Sequence, residues 1–173
     1  WKNKFLSPDQ VEKSSKSLLE KKFSIFYKNY DIYLRKYNIL DFDDLICMPT
    51  VLLKKNRIAY ERWKKKVLYV LVDEYQDTNT SQYELLKILT KSHANFTFVG
   101  DDDQSIYSWR GAQPKNLLFL KKDFPNLKII KMEHNYRSSG RILKIANSLI
   151  SHNQIYFKKK LFSELKYGKP IEI

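Results

Sequence analysis

A chain of 173 residues with 43% hydrophobic and 14% aromatic side chains can bury a core of useful size, which excludes a disordered tail or a linker. Its net charge of +13, from 32 Lys+Arg against 19 Asp+Glu, suits a polyanionic partner such as nucleic acid, although the Lys-, Asn-, Ile- and Tyr-rich mixture equally fits AT-rich coding. The single Cys47 excludes an internal disulfide framework, "WKNKFLSPDQ" has no signal-peptide core, and no apolar run reaches the roughly 18 residues that span a bilayer, so the chain reads as soluble and cytoplasmic with no membrane partner.

In chain order, Ser7-Pro8-Asp9-Gln10 opens a helix, with Ser as N-cap, Pro in the first turn and Gln placed to close a capping box. Val11, Leu18, Leu19, Phe23, Phe26, Tyr30 and Tyr33 give one helical face that continues to about Tyr37. Asp41 to Leu53 is predicted helical with an interruption at Pro49, and Arg57 to Lys66 is a short basic helix. "VLYVLV" (Val67 to Val72) shows no polar alternation, as in a strand covered on both faces, and runs into Asp73 and Glu74. Ser81-Gln82-Tyr83-Glu84 has the form of a second capping box and starts a helix to about Lys91. Phe96 to Val99 is a short strand ending in Gly100 and three aspartates. Helices follow from near Pro114 to about Lys122 and from Ser138 to His152, around a strand from Leu127 to Met132. The tail "KKKLFSELKYGKPIEI" is read as one more strand. Helices alternating with strands predict α/β architecture with a parallel sheet.

Two consecutive strands thus end in acids, Val72-Asp73-Glu74 and Val99-Gly100-Asp101-Asp102-Asp103-Gln104. Neighbouring parallel strands would bring both ends to one crevice, where open α/β sheets bind ligands. A magnesium ion held by one or two carboxylates, waters and phosphate oxygens suits such a place, with an adjacent Glu to deprotonate water. Acids also cap following helices, and for an isolated Asp-Glu pair that is the more economical account. The glycines are Gly100, Gly111, Gly140 and Gly168, and none forms G-x-x-x-x-G-K-[ST], so the chain carries no phosphate-binding P-loop.

"LDFDDLI", "VDEYQDTN", "VGDDDQSIYSWRGA" and "EHNYRSSGRIL", in this order and spacing, closely resemble the motif blocks of superfamily 1 DNA helicases of the UvrD/Rep type, leaning to the Rep branch. The resemblance covers essentially the whole chain. It implies a RecA-like parallel sheet, here incomplete, preceded by an N-terminal helical segment. Residues 1–40 would end the helical insertion of a first lobe, 41–133 form the rear half of that lobe, and 134–173 start a second. It implies ATP and Mg2+ as cofactors, with Asp73 as the metal-associated carboxylate and Glu74 as the base. Gln104 would contact the γ-phosphate, Tyr136 stack on adenine, and Arg137 reach the γ-phosphate. Tyr107 and Trp109, alternate residues of a segment read as extended, would stack on single-stranded DNA beside Arg110. Asp43, Asp44 and Trp63 are left as structural.

The implied activity is ATP-dependent 3′–5′ DNA unwinding in replication or repair, on single strands and single/double-strand junctions, with a homodimer on DNA as one arrangement. Lacking the P-loop and the later motor motifs, the chain is expected to be an internal fragment, inactive alone. The alternatives are a non-catalytic single-strand-binding or regulatory module and the ATPase subunit of a helicase–nuclease, which "GDDDQSIYSWRGA" disfavours.

Overall fold

In a computed structural model, residues 1–153 and 157–171 are described. The N-terminal helical segment is two helices rather than one. Helix α1 (Pro8–Ser14) has the expected Ser7/Gln10 capping box, but stops at Ser15, whose hydroxyl donates to the Val11 carbonyl at 2.7 Å. A second box, Ser17 with Glu20, starts α2 (Leu18–Lys36). Leu18, Leu19, Phe23, Phe26, Tyr30 and Tyr33 are all exposed, so most of the apolar face is open, and only Val11 and Ser24 are buried in this pair of helices.

Helix α3 (Asp44–Lys55) runs through Pro49 without a break, because Cys47, Thr50 and Leu53 are buried and anchor its backbone on both sides of the proline. The "LDFDDLI" block has a structural use. Asp41 and Asp44 accept each other's backbone N–H, and Lys2 Nζ lies 2.8 Å from a carboxylate oxygen of each, which ties the N-terminal segment to α3. Helix α4 (Arg57–Lys66) is capped by Asn56 and buries none of its residues; Trp63 is about half exposed.

Strand β1 is confined to Val70–Val72 and strand β2 to Phe96–Phe98. They pair in parallel, Val70 opposite Phe96 and Val72 opposite Phe98, with helix α5 (Thr80–Thr90) crossing between them. Among the described residues this is the whole sheet. Its inner face carries the core: Tyr75, Tyr83 and Leu120 are buried against Val72, Leu86, Phe98, Leu117, Phe124 and Leu127. The Tyr75 and Phe98 rings stack at 4.7 Å. The other face is open, with Leu71 77% exposed, contrary to a strand covered on both sides.

The α5 cap is Asn79 with Gln82, two residues before the Ser81/Glu84 pair expected; Ser81 is buried and its hydroxyl donates to the Asn79 side chain instead. Helix α6 (Asn116–Asp123) and helix α7 (Gly140–Ile150) match the last two expected helices with later starts. Leu127 to Met132 is not a strand. A strand needs a ladder partner, and the only pairing described nearby is a bridge between His134 and Phe162; Ile130 and Met132 point largely into solvent. The tail likewise contributes that bridge and no strand among the described residues, with 172–173 lying outside them.

Candidate active site at the carboxyl ends of the strands

Asp73 and Glu74 follow directly on β1 and are exposed. Glu74 sits in the left-handed region (φ 49°, ψ 43°), an unfavourable place for a side chain with a Cβ and a mark of a constrained turn. Three hydrogen bonds hold it there. Asp73 Oδ1 accepts the Glu74 N–H at 2.9 Å, the Tyr75 N–H donates to the Val99 carbonyl at 2.9 Å, and Gln76 Nε2 donates to Glu74 Oε2 at 2.7 Å. Beside the two acids lies a groove of about 310 Å³, also lined by Ile46, Asp77, Thr78, Gln82 and Leu86. Burial and then the nearby Glu74 charge push the Asp77 carboxyl above its ordinary value.

The second strand end is sewn to the first. Gln76 is 1% exposed, and its Oε1 accepts the Asp101 N–H at 3.0 Å. Gly100 makes this approach possible: a Cβ there would stand 2.9 Å from Gln76 Oε1. Asp101 Oδ2 in turn accepts Gln104 Nε2 at 2.9 Å, leaving the exposed Gln104 amide with a second hydrogen to offer. Further along, the Gln113 N–H donates to the Thr78 carbonyl at 2.9 Å, and the buried Asn116 Nδ2 donates to the same oxygen at 3.0 Å.

Asp101, Asp102 and Asp103 present carboxylate oxygens within 4.8 Å of one another, spacing that could hold a cation. The cation they have is Lys159, whose Nζ contacts Asp101 and lies 2.6 Å from Asp102 and 2.9 Å from Asp103. Burial alone would lower the Lys159 pKa, but its bonds to the three aspartates outweigh that and raise it; Asp101, pushed up by burial, is brought below the usual carboxylate range by Lys159 and Gln104. The triad therefore fits a lysine rather than a metal. Asp73 fits magnesium better: its carboxylate is exposed, at the mouth of the groove, and paired with no cation among the described residues.

Tyr107, Trp109 and Arg110 form one surface cluster, but not in an extended segment. Ser108–Arg110 is a 3-10 turn closed by Gly111 at φ 91°. The two rings meet at 6.4 Å and 54°, and the Arg110 guanidinium lies 5.8 Å from one ring centre and 5.7 Å from the other. Trp109 is 79% exposed and Tyr107 38%, so neither ring is core. Tyr136 and Arg137 are exposed in a turn whose N–H groups at Arg137 and Ser138 are taken by Asn135 Oδ1; the His134 ring lies 4.0 Å from Tyr136 and 4.9 Å from Phe162.

The structure thus joins Glu74 to Gln104 through bridging side chains and clusters Tyr107, Trp109 and Arg110. It describes no contact from Tyr136 or Arg137 to either group. Sequence reasoning missed Gln76, although it stands inside the "DEYQD" block, because its burial depends on β2. It missed Lys159 because that residue lies within a lysine run that reads as a solvated face.

Residues 1–125 match the model of the UvrD/REP helicase N-terminal domain family. Over all 173 residues the chain is 70% identical to the ATP-dependent DNA helicase Rep of Buchnera aphidicola subsp. Schizaphis graminum (strain Sg), covering 26% of that protein. It is 57% identical to the Rep helicase of Escherichia coli (strain K12), again over 173 residues and 26% of the relative. It is 39% identical over 171 residues, 99% of this chain, to the ATP-dependent DNA helicase PcrA of Staphylococcus epidermidis (strain ATCC 35984 / DSM 28319 / BCRC 17069 / CCUG 31568 / BM 3577 / RP62A), covering 24% of it. The chain therefore spans about a quarter of the length of the curated relatives it matches, and it belongs to the UvrD/REP helicase family.

Proposed function

We propose that this chain supplies the hydrolytic edge and a DNA contact of an ATP-dependent DNA helicase. The observation that carries the reading is the junction of two parallel strand ends, where Glu74 and the Gln104 loop meet through Gln76 and Asp101, with exposed aromatics just beyond. The relatives' names, ATP-dependent DNA helicase, support it.

In this reading residues 41–133 belong to a RecA-like lobe whose sheet is larger than the pair β1–β2, residues 1–40 are the end of its helical insertion, and 134–173 begin a second lobe. Asp73 would hold the magnesium of a magnesium-nucleotide. Bound there, magnesium-nucleotide supplies the electrophilic γ-phosphoryl group and neutralises charge on the phosphate oxygens. Glu74 orients the attacking water and takes its proton. Gln104 donates its second amide hydrogen to the γ-phosphate. From the second lobe, Arg137 stabilises charge developing on the transferring group while Tyr136 stacks on the base. Tyr107 and Trp109 stack on successive bases of single-stranded DNA and Arg110 meets the backbone, contacts indifferent to sequence.

The test uses this chain in place of the matching quarter of the Escherichia coli Rep helicase. The chimera is expected to hydrolyse ATP with stimulation by single-stranded DNA, and Glu74→Gln to abolish turnover while ATP still binds. DNA-independent or absent hydrolysis by a folded chimera refutes the reading.

A further inference from the structure

We infer that Gln76 is a positioning residue: a buried strut that fixes the Glu74 carboxylate and makes its position depend on the loop that carries Gln104. The inference rests on the roles proposed above for Glu74 and Gln104. A glutamine amide has a donor end and an acceptor end, and here each faces a group that admits only that end. The Glu74 carboxylate can only accept, so Nε2 must face it, at 2.7 Å; the Asp101 N–H can only donate, so Oε1 must face it, at 3.0 Å. With Gln76 1% exposed, water cannot replace either bond and the amide cannot turn away without leaving polar groups unsatisfied. The strut continues, since Asp101 Oδ2 accepts Gln104 Nε2 at 2.9 Å. Four residues therefore form one connected line, through the Asp101 backbone N–H, from the residue that activates water to the residue that senses the γ-phosphate. Movement of the Gln104 loop shifts the Asp101 N–H, and through a rigid amide it shifts Glu74.

The left-handed turn at Glu74 gives this consequence. Its backbone is strained and its side chain is otherwise exposed, so the carboxylate has no packing of its own to hold one rotamer. Gly100 completes the arrangement. Any side chain there would press on Gln76 Oε1, 2.9 Å from the position of a Cβ, and crowd the Tyr75 and Gln76 backbone nitrogens at 3.3 Å, so Gly100→Ala pushes on the strut from behind while removing none of the line's polar groups.

The experiment measures steady-state ATP hydrolysis of the Rep chimera, with and without single-stranded DNA, for Gln76→Leu, Gln76→Glu, Gly100→Ala, Gln104→Ala and the Gln76→Leu/Gln104→Ala double variant, each checked by thermal melting and nucleotide binding. Gln76→Leu keeps the volume and removes both bonds; Gln76→Glu keeps the acceptor and sets a second carboxylate against Glu74. Both are expected to lower kcat by about 100-fold, the cost of a misplaced catalytic group, with KM for ATP changed less than about threefold. The double variant is expected to lose no more than the worse single variant, because both cut the same line. If Gln76→Leu does not fold, Gly100→Ala carries the same test, with a reduced kcat and unchanged nucleotide binding expected. Folded Gln76 and Gly100 variants with unreduced kcat, or losses in the double variant that multiply as independent effects, overturn the strut. An unsubstituted chimera that folds but shows no DNA-stimulated hydrolysis overturns the assignment of Glu74 and Gln104 itself, and the strut with it.

Discussion

Replacing Lys159 with methionine removes one ammonium from among three carboxylates and leaves a side chain of similar length. The Lys159 side chain is 20% exposed and that of Asp102 only 5%, with Nζ 2.6 Å from Asp102 and 2.9 Å from Asp103. Exposed ion pairs contribute about 0–1 kcal/mol, whereas breaking a fully buried pair costs about 3–5 kcal/mol because charge is left without compensation. This partly buried cluster falls between, so Lys159→Met is expected to cost about 2 kcal/mol, roughly a 30-fold change in the folding equilibrium. The pH dependence is the sharper readout. Asp101 lies below its ordinary value of 3.8 in the folded chain, so its contribution is present above that pH and is lost as pH falls through the folded value. Lys159 lies above its ordinary 10.5, so its share is complete below that pH and is lost only in strong alkali. Wild-type stability should therefore fall in acid. In Lys159→Met the three carboxylates face one another without the ammonium, so their repulsion is greatest where all are ionised and is relieved as they are protonated, and the variant should lose less stability than wild type as pH falls from neutral into the acid range. Urea unfolding of the chain across this pH range, followed by tryptophan fluorescence, measures both effects. A variant that weakens in acid as wild type does, or loses nothing at neutral pH, refutes the account of the lysine-filled triad.

Trp109→Ala should weaken binding to a single-stranded oligonucleotide by about 1–3 kcal/mol without lowering thermal stability, since the ring is exposed; fluorescence anisotropy and a melting curve check the two halves. Tyr75→Phe should be neutral or stabilising, because the buried Tyr75 hydroxyl has no hydrogen-bond partner among the described residues and burial alone raises its pKa most. Asn116→Leu should cost about 1 kcal/mol in urea unfolding by removing the amide's bonds to the Thr78 carbonyl and hydroxyl, which keep the Gln113 N–H and the Tyr75 carbonyl as partners.

Much of the scaffold was legible because it is set locally. The Ser7/Gln10 box, the basic helix α4 and the β1–α5–β2 order all follow from caps and patterns within a few residues. Where tertiary context decides, reading failed. The Ser17/Glu20 box is present in the sequence but is masked by an apolar periodicity that spans the break, and most of that periodic face is exposed. Pro49 is a helix breaker by propensity, yet buried neighbours on both sides keep α3 continuous. Leu127 to Met132 has the composition of a strand and, among the described residues, no partner to pair with. At the site, the acids of Asp73 and Glu74 and the aromatics of Tyr107 and Trp109 could be read from type and order. The wiring of Gln76, Asp101 and Lys159 could not, since it exists only when two strand ends and a distant lysine come together.

The most direct test of the central claim is a structure of the Rep chimera with magnesium, ADP and a fluoroaluminate in place of the γ-phosphate. The account predicts Asp73 on the magnesium shell, the Glu74 carboxylate on the apical water and the Gln104 amide on a fluoride, with Gln76 still spanning Glu74 and Asp101. A nucleotide bound with Glu74 or Gln104 turned away from the transferring group would contradict it.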